Sequence, residues 1–229
     1  MGYKRTTKDT VFITGTPQIT NVERNMVILL DNGHAKSTPG KRSPKFEDGS
    51  QFFEYEFNRD IVKRIASELS KAGIKYHILV PEITSDISLS TRAARANKYC
   101  NQYGKDNCLF ISIHVNAAGS GSTWMNGRGW SVYTTKGKTK SDEYATIFFE
   151  EAKKLLVPKG YTMRPDNSDG DPDQEENFTV IYKTNCPAIL TENLFMDNKK
   201  DVAFLKSEAG RACIAQIHVN AIKRIVKNV

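Results

Sequence analysis

Long apolar runs, paired cysteines, internal repeats and histidines are all scarce in this sequence, and each shortage narrows what it encodes. No stretch of the 229 residues approaches the roughly 18 uninterrupted apolar residues of a bilayer span, so membrane insertion is not expected. The opening segment, MGYKRTTKDTVFITGTPQITNVERN, carries an early basic pair. It has no apolar run of signal-peptide length and no small-residue cleavage site after one. A classical secretion route is therefore not expected, and the protein is expected to start in the cytoplasm of the producing cell. Cys100, Cys108, Cys186 and Cys213 stand far apart with no Cys-x-x-Cys pair, which argues against a structural zinc knot. Two disulfides are arithmetically possible, but a chain of this size does not need them, and free buried thiols are the expectation. His114-Val-Asn-Ala recurs as His218-Val-Asn-Ala, yet the first follows a strand pattern and the second lies in a helical one, so no true repeat is present.

What is present reads as one ordinary globular domain. Hydrophobic residues make up 39% and charged residues 26% of the chain. The 33 Lys and Arg against 26 Asp and Glu give a formal charge of +7, which would suit a polyanionic partner such as nucleic acid or a bacterial wall. The basic residues are spread along the chain, however, and no common nucleic-acid motif occurs, so a solvated surface is expected and no nucleic-acid partner. Residues 1–24 are polar and Thr-rich and read as an N-terminal arm or added edge strand. Residues 25–229 read as a single domain, expected to be a monomer.

Within that domain apolar runs of strand length alternate with amphipathic helices. MVILLDNGH ends abruptly in polar residues and Gly, and AKSTPGKRSPKFEDGSQ after it is a loop. From Glu54 the period changes: Phe57, Ile61, Ile65 and Leu69 recur every four residues until Gly73. IKYHILVP, CLFISIHVN, GWSVYTT, FTVIYK and PAILTEN read as further strands. Helices are expected from Ser90 to Tyr103, over SDEYATIFFEEAKKLL, over NKKDVAFL and from Glu208 to Lys227. The acidic stretch from Arg164 to Asn177 reads as a long loop that could border or gate a cleft. This alternation predicts an α/β fold, with a twisted, mostly parallel sheet of about six strands and helices on both faces.

Of the four histidines, His34 and His114 each stand where a hydrophobic strand ends in small polar residues. Open α/β sheets gather their ligands at that edge. His77 lies inside a strand pattern and His218 inside the last helix, and both are expected to be structural. A hydrolytic zinc site needs three protein ligands and an open position for water, which two imidazoles and one carboxylate supply. Glu54 and Glu56, in the first turn of the first helix, are both candidates for the carboxylate, and only one of them can point at a metal. Asn58 shares a face with Glu54. Thr191-Glu192-Asn193 ends another strand and brings a further carboxylate to the same edge, suited to act as general base.

These segments together resemble the zinc-dependent N-acetylmuramoyl-L-alanine amidases of the Amidase_3 type over roughly residues 26–227. Leu29-Leu30-Asp31-Asn32-Gly33-His34 is similar to the family's Asp-Pro-Gly-His opening, with Asn32 in the proline position and Ala35 where a second glycine is usual. Glu54-Tyr55-Glu56-Phe57-Asn58 resembles its glutamate helix, and that alignment selects Glu54 over Glu56. Ser112-Ile113-His114-Val115-Asn116-Ala117 and Leu190-Thr191-Glu192-Asn193-Leu194-Phe195, followed by Asn198, resemble the segments carrying the second histidine and the catalytic glutamate. Ser88-Leu89-Ser90-Thr91-Arg92, with Asn97, resembles the Leu-Ser-x-Arg helix start, where the Arg is commonly structural or lines the cleft. Gly40-Lys41-Arg42-Ser43-Pro44 is similar to a subgroup found in phage lysins and gut-bacterial prophage enzymes.

The resemblance implies one Zn2+ per chain on His34, Glu54 and His114, with Glu192 as catalytic base and Asn116, Arg92 and Asn193 on the substrate. The implied substrate is peptidoglycan, cut at the amide between the lactyl group of N-acetylmuramic acid and L-alanine, with action at the wall after release. A zinc peptidase or deacetylase of the wall shares the same metal chemistry, and an inactive wall-binding module is the reading from a different class.

Overall fold

Alternation along the first strand already sorts the side chains into two layers. In this computed structural model, which describes residues 26–228, β1 (Val27–Asn32) is buried along its whole length. Ile28 and Leu30 enter one apolar core, while Val27 and Leu29 enter another on the opposite face. The N-terminal arm expected at residues 1–24 lies outside the described residues.

The chain continues through α1 (Glu54–Lys71), β2 (Tyr76–Ile78), α2 (Leu89–Tyr103), β3 (Cys108–Asn116), β4 (Ser131–Thr134) and α3 (Lys140–Leu156). It ends through β5 (Gln174–Glu175), α4 (Thr179–Tyr182), β6 (Ala188–Phe195), α5 (Lys199–Lys206) and α6 (Glu208–Asn228). The strands form one sheet in the order β2-β1-β3-β6-β4-β5, parallel throughout except where β4 runs antiparallel to β6. The larger core packs α1, α3 and α6 against one face; the smaller one lies under α2 and α4 on the other. The expected layered α/β architecture is the one found.

Two local expectations change. FTVIYK does not pair into the sheet; residues 179–182 form the helical turn α4, whose adjacent Val180 and Ile181 are buried while Tyr182 points outward. Burial of neighbouring rather than alternate residues is the helical solution for a short apolar run, which periodicity alone does not resolve. The sixth strand is instead the two-residue β5, inside the stretch expected to be a loop, and it pairs with Tyr133 and Thr134. All four cysteines are free and buried, as expected. His77 stacks on Tyr99 with ring centroids 3.8 Å apart, and His218 is bonded inside the core to the Ile214 carbonyl (2.8 Å) and to Thr191 Oγ1 (3.0 Å).

Candidate active site

Because β1, β3 and β6 are adjacent and parallel, their C-terminal ends deliver their last residues to one edge of the sheet. His114 and Glu192 are register partners across β3 and β6, so both side chains leave the sheet on the same face. One step further the ladder slips: Asn116 pairs with Phe195, giving β6 one extra residue. Leu194 sits in this bulge with φ of 66°, and Asn193 Nδ2 donates to the His114 carbonyl at 3.0 Å. Bulges re-aim strand side chains, and this one shifts the register immediately beyond Glu192 before pairing resumes at Phe195.

His34 follows β1 and adopts φ of 62°, a left-handed conformation that a residue with a Cβ rarely takes. Its carbonyl accepts from Arg59 Nη1 at 2.8 Å, and Asn58 Nδ2 donates to the Gly33 carbonyl at 3.1 Å. Helix α1 therefore clamps the turn on which His34 stands. Gly33 has no alternative there, because a Cβ at this position would lie 2.2 Å from His114 Cε1.

Glu54 opens α1 and is 1% exposed. Its Oε1 accepts from Val115 N at 3.0 Å and lies 3.1 Å from His114 Nδ1. Its Oε2 is buried with no partner and lies 3.6 Å from His34 Nε2. Glu56 is exposed and accepts from the Tyr55 hydroxyl, so the structure selects Glu54 on burial alone. The two imidazoles meet edge to face, and one ligand atom from each of His34, Glu54 and His114 lies within 4.8 Å of the others. Two imidazole nitrogens and a carboxylate whose Oε2 is buried without a partner form a set that could hold a metal ion. Behind His114, Ser112 Oγ lies 3.1 Å from Nε2 and donates to Asp31 Oδ2 at 2.6 Å. Such outer hydrogen bonds fix the ring of a ligating histidine.

The electrostatics fit the same use. Burial lowers His34 to about 4, keeping its imidazole neutral at pH 7. Burial would raise Glu54, but the hydrogen bond from His114 and the neighbouring charges overcome it and hold the carboxyl at about 2. For His114 the burial effect is downward, and the Glu54 contact outweighs it, so the net direction is up. Burial also drives Glu192 up to about 8, opposed by His114 and Lys41 and reinforced by Glu54. Glu192 Oε2 is buried without a partner. The site thus holds one carboxyl group lowered below the ordinary carboxylate range and one raised above it.

The family model for N-acetylmuramoyl-L-alanine amidase (Amidase_3) matches residues 28–224. The chain belongs to that amidase family. It is 35% identical over 200 residues to the N-acetylmuramoyl-L-alanine amidase CwlM of Bacillus licheniformis, covering 86% of this chain and 67% of that protein. It is 26% identical over 203 residues to the endolysin of Bacillus phage SPP1, covering 87% of this chain and 66% of that one. The chain thus spans about two thirds of the length of these relatives. Among solved structures, the amidase Ami1 from Mycobacterium smegmatis shares the fold with a TM-score of 0.68 at 20% identity, over 89% of this chain and 98% of that one.

Two residues expected on the substrate have other work in this amidase-family chain. Arg92 is 2% exposed; its guanidinium donates to Asp31 Oδ1 at 2.8 Å, Asp86 Oδ1 at 2.9 Å and the Asn32 carbonyl at 3.2 Å. It is a buried pillar under the β1 end, its Nε donating as well to the Ile87 carbonyl at 2.8 Å. Asn193 is fully buried, its Oδ1 accepting from Trp130 Nε1 at 2.8 Å and its Nδ2 donating inside the bulge. Asn116 remains partly exposed at the end of β3. Arg59, Asp31 and Ser112 escaped the sequence reading as supports of the site. Only their nearness to His34 and His114 could have flagged them, since their bonds span 25 to 81 residues of chain.

Proposed function

We propose that this chain hydrolyses the amide between the lactyl group of N-acetylmuramic acid and L-alanine in peptidoglycan, with zinc held by His34, Glu54 and His114. The observation that carries the reading is the meeting of that ligand cluster with Glu192, which stands beside His114 across the β3–β6 ladder. Bound there, zinc would lower the pKa of a water towards ~7 and polarise the substrate carbonyl. Glu192, buried and partnerless at Oε2, takes the proton from the attacking water and returns it to the departing alanine nitrogen. His34 and His114 hold no proton that the reaction needs; they and Glu54 set the geometry. Gly33 leaves room for the His114 ring.

Membership of the amidase family and the identity to CwlM favour this bond over others reached by the same metal chemistry. The reading implies action at the bacterial wall. Digestion of purified peptidoglycan, followed by mass spectrometry, tests it. The expected products are intact stem peptides beginning with free L-alanine and glycan strands of unchanged length. A chelator should abolish their release, and added zinc should restore it. Peptides cut internally, or glycan lacking acetyl groups, would replace the amidase assignment with a peptidase or a deacetylase.

A further inference from the structure

Two loops leave the C-terminal edge of the sheet beside the ligand cluster, and they enclose a groove that metal binding and proton transfer do not use. One follows β1 and begins at His34; the other follows β3, the strand that carries His114. The groove has a volume of about 460 Å³, within the range of small-ligand sites. Arg42, Pro44 and Gln51 line it from the first loop, and Gly121, Ser122 and Trp124 from the second.

Both walls are held in place. The Lys41 carbonyl accepts from Glu54 N at 3.1 Å, and Arg42 bridges to Phe53, so the first wall is tied to the residue that opens α1. Gln51 Nε2 donates to the Ser43 carbonyl at 2.7 Å, which fixes its amide. Gly121, with φ of 81°, comes so near the first wall that an added Cβ would lie 2.9 Å from the Arg42 carbonyl oxygen. The second wall is pinned by the fully buried Asp197. Its Oδ2 accepts from Ala118 N at 2.8 Å and Gly119 N at 2.7 Å, and its carbonyl accepts from Met125 N at 2.7 Å. Trp124 stands next to that last bond. Phe46 packs on its ring with centroids 4.8 Å apart and the Lys199 ammonium lies 5.8 Å from its centroid, yet the side chain stays part-exposed to the groove.

An indole and a proline beside hydroxyls, an amide and a guanidinium suit a ligand that alternates apolar C–H faces with polar rims. Indole in particular offers a large, rigid, apolar surface with a polar edge. N-acetylated sugars have that alternation: a ring face of C–H groups, a rim of hydroxyls and an acetamide. The stem peptide would answer to the cationic lining residues, Arg42 and Lys45, and leave the indole and hydroxyls unmatched. We infer that this groove seats the glycan strand beside the muramic acid whose amide is cut, with Trp124 packing against one N-acetylated sugar. Arg42, Gln51 and Ser122 supply the hydrogen bonds to its hydroxyl and acetamide groups. The inference rests on the amidase reading above and names the part of the substrate that this groove selects.

The chain has two tryptophans, and Trp130 is fully buried, so a change of indole emission on adding ligand reports on Trp124. The zinc-loaded full chain is titrated with a soluble chitin tetramer and, separately, with a synthetic stem peptide. The tetramer should change the emission and show binding by calorimetry, whereas the peptide should leave the emission unmoved. Trp124→Ala should weaken tetramer binding by roughly tenfold, the order lost on truncating an aromatic anchor. Trp124→Phe should keep most of the affinity while the emission change disappears, which separates loss of the contact from loss of the loop. In turnover, muramyl peptides extended by further sugars should be cut better than unextended ones, chiefly through KM, and Trp124→Ala should bring that ratio close to one. A tetramer that does not bind, an affinity unchanged in Trp124→Ala, or an emission change produced by the stem peptide instead would each overturn the proposal. Tetramer binding by a zinc-loaded protein that releases no stem peptide from the wall would keep the glycan groove and overturn the bond assigned above.

Discussion

His114 and Glu192 occupy the same level of two adjacent parallel strands, and every other feature of the site is arranged around that pairing. One strand presents the second imidazole of the candidate ligand cluster, the other a half-buried glutamate whose Oε2 is buried without a partner. The bulge immediately afterwards shifts the register by one residue, so the pairs beyond it no longer continue the alignment of His114 with Glu192.

Replacing Glu192 separates its role from that of the ligands. Glu192→Gln keeps the shape and removes the base, so the protein should retain zinc at wild-type stoichiometry. Release of stem peptides should fall by at least 10²–10⁴-fold, the range for a positioned proton acceptor. Metal analysis and a wall digest on the same sample check this; a variant that still releases peptides at the wild-type rate removes Glu192 from the chemistry.

Gly33→Ala is a small change with a large expected effect. Its methyl group would overlap the His114 ring, at 2.2 Å from Cε1, so ring or turn must move. Overpacking of this kind costs about 1–3 kcal/mol. The more telling loss should be of zinc affinity, measured by competition with a chromogenic chelator.

Arg92→Ala should act on stability rather than on substrate. It strands Asp31, itself 1% exposed, without its cationic partner, and breaking a buried pair in this way costs about 3–5 kcal/mol. Urea unfolding should show the loss, while KM of the surviving folded protein should change little. A large KM effect at unchanged stability would return Arg92 to the cleft.

Asp173 supplies a pH test away from the centre. It is 1% exposed, its Oδ2 accepting from Thr134 Oγ1 at 2.6 Å, and burial together with the adjacent Asp171 pushes it up to about 8. A carboxyl raised on folding from 3.8 to about 8 binds its proton more tightly in the native state. Its contribution to stability is therefore present below about 4 and lost as pH rises towards 8. Asp173→Asn should melt several degrees higher than wild type at pH 8, and the gap should shrink as pH falls to 4. A gap that does not vary with pH would show that Asp173 does not titrate in this window.

The layered fold was legible because β1 and β3 announce burial on two faces and the helices carry four-residue spacing. His34 and His114 stood out because strand ends are visible as abrupt changes of composition. Glu54 against Glu56 was not decidable from spacing, since both lie in one helical turn; the structure separates them by burial. The burial of Arg92 and Asn193 was hidden for a related reason. Their polar side chains look like cleft residues in sequence, and only three-dimensional packing shows that Asp31 and Trp130 already occupy them. The helical turn α4 was read as a strand because β-branched and aromatic residues dominate it, and its inward-facing pair is too short to reveal a period.

The described sheet ends in strands of three and two residues, β2 and β5. Long exposed edges are templates on which a second copy can add its own strand, and very short ones give such an intruder little to grip. Stacking of this protein edge to edge should therefore be disfavoured even at high concentration, leaving the rich β-forming segments of β1, β3 and β6 sealed in the middle of the sheet.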